Sequence, residues 1–409
     1  MPENNKRLDP AAPFAARVQY YRERTGFSRP VLGGLVGRSG EWVKGIETGR
    51  LLQPRLPMLI RLANVLGIDL ERLTGEQGLP LSTYSKAAHD ALPNVTEALT
   101  RYVVDTRDVV PLTAVELASR VAQAWDLWHG AARQRTAVAV VLPDLIEQAQ
   151  LSVRLHDGNE RRAALSLLAQ VYHLAQLYLS FQPAPEMLML TGDRAMTAAQ
   201  DADDPHAITA AAWYMNHIFR DAGERDEARI DLATRASRLL RPDDGGEDLA
   251  QWGLLQLAIA LSHAKSGHEG HALSHWDKAA GAADALGANY AHPWLIFGRG
   301  MVDAYAVTIQ ADLTHGGEAT RLAGRLDLAA MPSATRRSFH LAEVARAYFL
   351  RREHVGTVHM LRKAYRESPE TARFSRFARS AVLELTETAG PAIRDDVAEL
   401  SRDLGLNAA

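Results

Sequence analysis

Ser28-Arg29-Pro30-Val31-Leu32-Gly33-Gly34-Leu35-Val36-Gly37-Arg38-Ser39-Gly40-Glu41-Trp42-Val43-Lys44-Gly45-Ile46-Glu47-Thr48-Gly49 is the stretch whose reading decides the architecture. Ser28 can accept a hydrogen bond from the first turn of a helix, and Pro30 stands where a missing N–H is tolerated. Val31, Leu32, Leu35 and Val36 recur at helical spacing and are expected to face inward, with Gly37 as the stop. Ser39 caps a further helix, Gly40–Thr48, with Val43 and Ile46 inward, and Gly49 ends it. Upstream, Phe14–Thr25 places Phe14, Val18 and Tyr21 on one face before Gly26. Downstream, Pro54 and Pro57 mark the start of a fourth helix that stops at Leu66-Gly67, and Asp69–Leu73 supplies a short fifth. Five short helices, the second and third joined around Gly37, form a helix-turn-helix layout.

These residues, together with Leu62-Ala63-Asn64-Val65-Leu66-Gly67-Ile68, resemble the Cro/C1-type (xenobiotic-response-element, XRE) DNA-binding domain over the whole unit. The resemblance implies that double-stranded DNA is the partner and that the helix beginning at Ser39 enters the major groove. Gly40, Glu41, Lys44 and Gly45 then point outward, with Ser39 and Gly40 at the end nearest the bases. Lys44 can donate to guanine O6 and N7, and Glu41 can accept from cytosine N4. Arg29, at the start of the second helix, Arg38 in the turn, and Arg50 and Arg55 around the following loop are expected to meet phosphates. Arg22 and Glu47 match the family's inter-helix pair, so a buried ion pair is expected, with Glu47 structural. Trp42 either packs between the third and fourth helices or lies against the sugar-phosphate backbone, and packing is preferred. Gly33 and Gly34 depart from the family pattern and imply a soft second helix. Gly40 and Gly45 stand where longer readers are usual and imply weak base readout.

Charge supports a separate role for this head. The 409 residues carry a formal net charge of −3. Residues 1–75 hold 12 Lys and Arg against 7 Asp and Glu, whereas the rest holds 34 against 42. A basic head on an acidic body suits a polyanion that meets the head alone. With no cysteine, a disulfide scaffold, thiol catalysis and cysteine-ligated zinc are excluded. An apolar content of 47% is that of a globular chain, and no apolar run approaches the roughly 18 residues of a membrane span. Met1–Arg7 is followed by no apolar stretch, so no signal peptide is expected, and the expected location is the cytoplasm.

The expected organisation is all-α: a head over residues 12–75, a linker over 76–94 rich in Gly, Pro and Ser, and a helical-repeat body over 95–406. Ala137–Leu142, bounded by Pro143, is the one β-like run and reads better as buried helix. Helix pairs recur at Ala212–Gly223 with Asp226–Leu240, at Gln256–Gly267 with Gly270–Leu286, and at Leu341–Arg352 with Val355–Glu367. They resemble degenerate tetratricopeptide repeats, since Ala228 and Ala272 are 44 residues apart rather than about 34. Head and body together resemble a group of regulators common in actinobacteria and, more distantly, peptide-pheromone receptors. The resemblance implies a homodimer joined through the body and an effector, a peptide, a small molecule or a partner protein, on the concave face. Candidate effector residues are Trp213, Asn216, His217, Arg220, Trp252, Gln256, His263 and Trp294, because aromatics with Asn, His and Arg suit an amphiphilic ligand. His271 and His275 share a helix face near His268 at a spacing a metal could use, but polar decoration of a repeat turn is the preferred reading. No cofactor, metal or membrane partner is expected. No nucleotide-binding or catalytic constellation is present, so an enzyme is not expected. The competing function is an interaction adaptor whose head docks protein rather than DNA.

Overall fold

The computed structural model describes residues 12–68, 70–75, 86–107, 109–222 and 226–406. Among them regular structure is helical throughout. The head comprises α1 (Phe14–Arg24), α2 (Arg29–Leu35), α3 (Gly40–Glu47), α4 (Leu56–Leu66) and α5 (Leu70–Thr74). The Ser28 and Ser39 hydroxyls accept from the backbone N–H of Val31 and Trp42, at 3.4 and 3.1 Å. Gly26, Gly37, Gly49 and Gly67 take the left-handed conformation that closes each helix. Val18, Leu32, Val36, Val43, Ile46, Leu59 and Leu62 form the head's own core.

Two expectations for the head are corrected. Val31 and Leu35 do not face inward; they are 48% and 52% exposed. In a helix of only seven residues one narrow stripe is buried, and Leu32 and Val36 occupy it. Gly45 does not point outward but is buried against Leu51. Gly33 is likewise a packing residue, since a Cβ there would meet the backbone of Arg38 and Ser39 at 2.7–2.8 Å. The close approach of α2 to the turn offsets the intrinsic penalty of a glycine within a helix.

The expected linker ends early. His89 is already fixed to the body, its N–H donating to the Gln182 side chain at 2.8 Å, and α6 (Leu92–Thr100) starts inside the expected linker. Residues 76–85 lie outside the described residues. The body continues as α7 (Ala114–Gly130), α8 (Gln134–Leu155), α9 (Gly158–Leu179), α10 (Pro185–Asp201), α11 (Pro205–Ala222), α12 (Asp226–Ser237), α13 (Gly246–Lys265) and α14 (Glu269–Leu286). It ends with α15 (Arg299–Asp312), α16 (Gly316–Ala323), α17 (Ala334–Leu350), α18 (His354–Glu367), α19 (Pro369–Phe374), α20 (Arg376–Thr388) and α21 (Arg394–Asp403). Ala137–Leu142 lies in α8, which runs through Pro143.

Each helix from α7 to α18 packs against its sequence neighbour. Alternate helices also touch: α7 with α9, α9 with α11, α11 with α13, α13 with α15, and α15 with α17. These six line one side of a superhelix, as first helices of stacked pairs do. α17 also packs on α7, so the inner side closes on itself. Closure encloses aromatic and polar side chains of the inner helices.

Candidate nucleic-acid interface and the interior of the body

α3 is placed by the ion pair that fastens it to α1. The Arg22 guanidinium donates to Glu47, with side chains 10% and 1% exposed, and also to the Phe27 carbonyl at 2.9 Å. Arg29 joins the same carboxylate at 2.6 Å. Glu47 is therefore the buried anchor of two cations, and Arg29, expected to meet a phosphate, is partly engaged. Trp42 is half-buried against the head's core.

The outward face of α3 carries Glu41 and Lys44, which lie 3.5 Å apart with side chains 57% and 49% exposed. Arg38 donates to the Gly37 carbonyl at 2.9 Å, and Arg55 stands exposed just ahead of α4. Glu41 and Lys44 keep the exposure a base-reading role requires. Ser39, Gly40 and Arg50 are only partly exposed: Gly40 packs on Pro30 of α2, and the body covers Ser39 and Arg50 at the two ends of α3.

At the leading end, Gly267, in the turn between α13 and α14, lies so close to Ser39 that a Cβ on it would collide with the serine side chain. At the trailing end, Arg50 donates to the Thr314 hydroxyl at 3.2 Å, and Arg352 donates to the Thr48 carbonyl at 2.5 Å. Leu51 packs on the apolar cluster of Val307, Ala311, Ala347 and Leu350, and Leu52 on the cluster of Leu341, Phe349 and Leu361. A duplex, with a major groove about 12 Å wide, cannot receive the Ser39 end of α3 while Gly267 touches it. Sequence reasoning missed this seam; Leu51-Leu52, two large apolar residues in a loop between two basic ones, is the signal that could have indicated it.

The eight expected effector residues do not form one cluster. Trp213 is wholly buried, its ring edge-on to His217 at 4.4 Å. Asn216 donates to the Arg229 carbonyl at 3.0 Å, tying α11 to α12. The Arg220 side chain lies outside the described residues. Trp252 packs half-buried on the core, and Gln256 accepts from His275 at 2.8 Å. His263 stacks on His271 at 4.9 Å, with His268 and His275 each 5.8 Å away. Among the described residues no group of three or more His, Asp or Glu is arranged to hold a metal. Trp294 lies beside Trp125 on α7 and His173 on α9, which were not anticipated, and beside Tyr214 on α11, the neighbour of the expected Trp213.

Burial sets the acid–base character of this interior. It lowers His129 and His173 to about 4, and His340 to about 3, with the Arg336 charge adding to the effect at His129 and His340. The loop before α15 is clasped by a 2.9 Å contact from His292 to Glu247, whose hydrogen bond holds that carboxylate down at about 2. Between their ordinary value near 6.5 and about 4, the three buried imidazoles take up protons only in the unfolded chain. Stability therefore rises with pH across that window and falls as pH is lowered through it. The melting temperature should drop steadily from pH 6.5 to pH 4, and His340→Phe should flatten the slope. An unchanged slope in that variant would remove His340 from this account.

With the geometry in hand, the family comparison defines the class of the head: residues 13–74 match the helix-turn-helix domain. The amino-terminal unit is thus a helix-turn-helix domain, of the class that carries DNA-binding heads. No curated protein matches the chain by sequence. Among solved structures, the apo form of the competence regulator ComR from Streptococcus vestibularis is 15% identical, with a TM-score of 0.32, over 81% of this chain and 97% of that one. PlcR from Bacillus thuringiensis, in complex with a peptide and DNA, is 12% identical at a TM-score of 0.29, covering 86% and 99%. ComR from S. thermophilus, with DNA and its signalling peptide, is 12% identical at 0.28, covering 87% and 99%. No described helix is long and apolar enough to cross a membrane.

Proposed function

We propose that this protein is a DNA-binding transcriptional regulator whose helical body holds the head in a DNA-excluded position and releases it in response to an effector. The observation that carries the reading is a complete helix-turn-helix whose exposed reading residues, Glu41 and Lys44, sit on a helix gripped at both ends by the body. The head's excess of basic residues supplies attraction to phosphates. Two outward side chains give one head little sequence information. Two copies on half-sites one helical turn apart, joined through their bodies, would supply the rest.

The test is binding of the full-length chain to duplex DNA as salt is varied. Affinity should fall steeply with salt, because each neutralised phosphate releases counterions. Lys44→Ala should lower the salt slope by about one if the lysine meets a phosphate, or relax specificity at one base pair by about 1–3 kcal/mol if it meets guanine. Lys44 is the right probe because its one ion pair is with the exposed Glu41 on the same face, whereas Arg29 is held by the buried Glu47 and Arg50 by Thr314 of the body. The adaptor reading is favoured by one observation, the insertion of Leu51 and Leu52 into apolar clusters of the body. DNA binding that is indifferent both to salt and to Lys44→Glu would decide for the adaptor.

A further inference from the structure

The inner side of the superhelix contains a group of flat rings and unspent polar atoms that packing alone does not require. Trp125 is 3% exposed and its indole N–H has no hydrogen-bond partner. His173 is wholly buried; its Nδ1 meets Gln176 at 2.9 Å, and its Nε2 meets nothing. His340 is 1% exposed with both ring nitrogens unpartnered. Buried polar atoms are nearly always satisfied in folded proteins, and each one left unsatisfied is costly. Several from helices far apart in sequence, gathered on one enclosed surface, mark a place that a polar guest completes.

Arg336 gives that place its charge, and its Nη2 is buried without a hydrogen-bond partner. Hydrogen bonds place its turn of α17 beside the rings: the Ser333 hydroxyl accepts from the Arg336 backbone N–H at 3.3 Å and meets His129 Nδ1 at 2.9 Å, His129 in turn meets the Trp294 carbonyl at 3.1 Å and stacks on Trp125, and His340 lies one turn further along the same helix. A planar cation facing aromatic walls and no carboxylate suits a carboxylate, which it can hold through two parallel hydrogen bonds.

Trp294 occupies the aromatic part of this surface. Its ring lies within 10° of parallel to His173 at 6.0 Å and 11° to Tyr214 at 6.3 Å, and it leans on Trp125 at 5.2 Å. Unlike those three it is only half-buried, so its indole can swing to solvent while the loop stays in place. Leu295 and Phe297, fully buried, and the His292–Glu247 contact anchor the loop on either side. Two residues on, Ile296 holds a left-handed φ of +62°, an outlier for a β-branched side chain, of the kind that collects at ligand clamps.

We propose that this slot, walled by Trp125, His173 and Tyr214 with Arg336 and His340 at its polar end, is the effector site, that its ligand is a small planar aromatic carboxylate, and that the Trp294 indole is a built-in plug which the ligand's ring displaces. The proposal rests on reading the body as the sensing half of a regulator, but its test involves no DNA. The ligand's ring takes the stacked position of the indole, and its carboxylate meets the Arg336 fork.

The probe is indole-3-acetate, whose ring copies the plug, with uncharged indole-3-ethanol as its control. Binding is measured by calorimetry on the full-length chain. Trp294→Ala should tighten indole-3-acetate at least tenfold, whereas a residue that merely lines a site would weaken binding when truncated. In that background Arg336→Gln should lose at least tenfold and abolish the preference over indole-3-ethanol, and Arg336→Lys should retain part of it. An unaltered melting temperature establishes that each variant is folded; where Arg336→Gln is not folded, Arg336→Lys carries the comparison. Equal or weaker binding by Trp294→Ala, equal binding of the two probes, or no binding of either at millimolar concentration would overturn the proposal. Failure here would leave the salt-dependent DNA binding of the head untouched, so the two readings fail separately.

Discussion

A full-length chain carrying Gly267→Asn and Arg352→Ala should bind duplex DNA about ten- to a hundredfold more tightly than the unaltered protein. The seam holds the head through two leucines, two hydrogen bonds and a backbone approach that only a glycine permits. Burying a leucine is worth about 1.5–3 kcal/mol and a hydrogen bond about 0.5–1.5 kcal/mol, before the entropy of ordering the head is subtracted. A net preference of a few kcal/mol for the docked arrangement follows. Apparent affinity is then reduced by the small fraction of undocked heads. Removing the Arg352 contact to the Thr48 carbonyl and inserting a side chain against Ser39 should recover about 1.4–2.8 kcal/mol of that preference, a factor of about 10–100. Asparagine is the substitution of choice because it tolerates the left-handed backbone at position 267, so the collision rather than backbone strain is what is tested. Adding Lys44→Ala should cancel the gain. An affinity identical to that of the unaltered chain would mean that the docked arrangement does not compete with DNA.

The second large effect is expected at Glu47, which touches neither DNA nor the body. Glu47→Ala leaves the buried Arg22 guanidinium and its neighbour Arg29 without their shared carboxylate. Breaking a buried pair from one side costs about 3–5 kcal/mol, because an uncompensated charge remains. A five-helix head has little more stability than that in total. α1 and α3 should lose their hydrogen-exchange protection together, while the inner helices of the body keep theirs. Glu47→Gln should fall between. The double variant Arg22→Met/Glu47→Leu should recover much of the loss, since an apolar replacement of similar volume leaves no charge behind. A loss with Glu47→Ala that moderate salt removes would contradict the burial argument, because screening acts on exposed charges.

The head was legible because its instructions are local. Ser28 and Ser39 cap their helices by bonding to the backbone three residues on, and the glycines at 26, 37, 49 and 67 stop helices by a conformation other residues avoid. The Arg22–Glu47 pair was readable from the family pattern. Burial around a short helix was less readable. Val31 and Leu35 are as apolar as Leu32 and Val36, and only the neighbouring elements decide which pair is covered. In the body, the first helices start two to three turns before the expected positions, at Pro205, Gly246 and Ala334 rather than Ala212, Gln256 and Leu341. Their opening turns are rich in small or polar residues and carry no strong apolar stripe. Of the expected effector residues, Trp294 is the one that meets Trp125, His173 and Tyr214 together. Trp213 and Tyr214 are adjacent on α11, and a sequence does not say which of two neighbouring aromatics looks inward, since adjacent helical positions face different ways.

What the chain by itself determined, then, is a capped and glycine-punctuated helix-turn-helix on a long run of paired helices, because caps, stops and the 3.6-residue period act over a few residues. The tertiary structure alone decided that Gly267 and Arg352 hold the two ends of α3, and that Trp125, His173 and Trp294 meet inside one superhelix. Both depend on α17 returning to α7, a contact between helices some two hundred residues apart, and no short stretch of sequence encodes the angle at which each helix pair adds to the last.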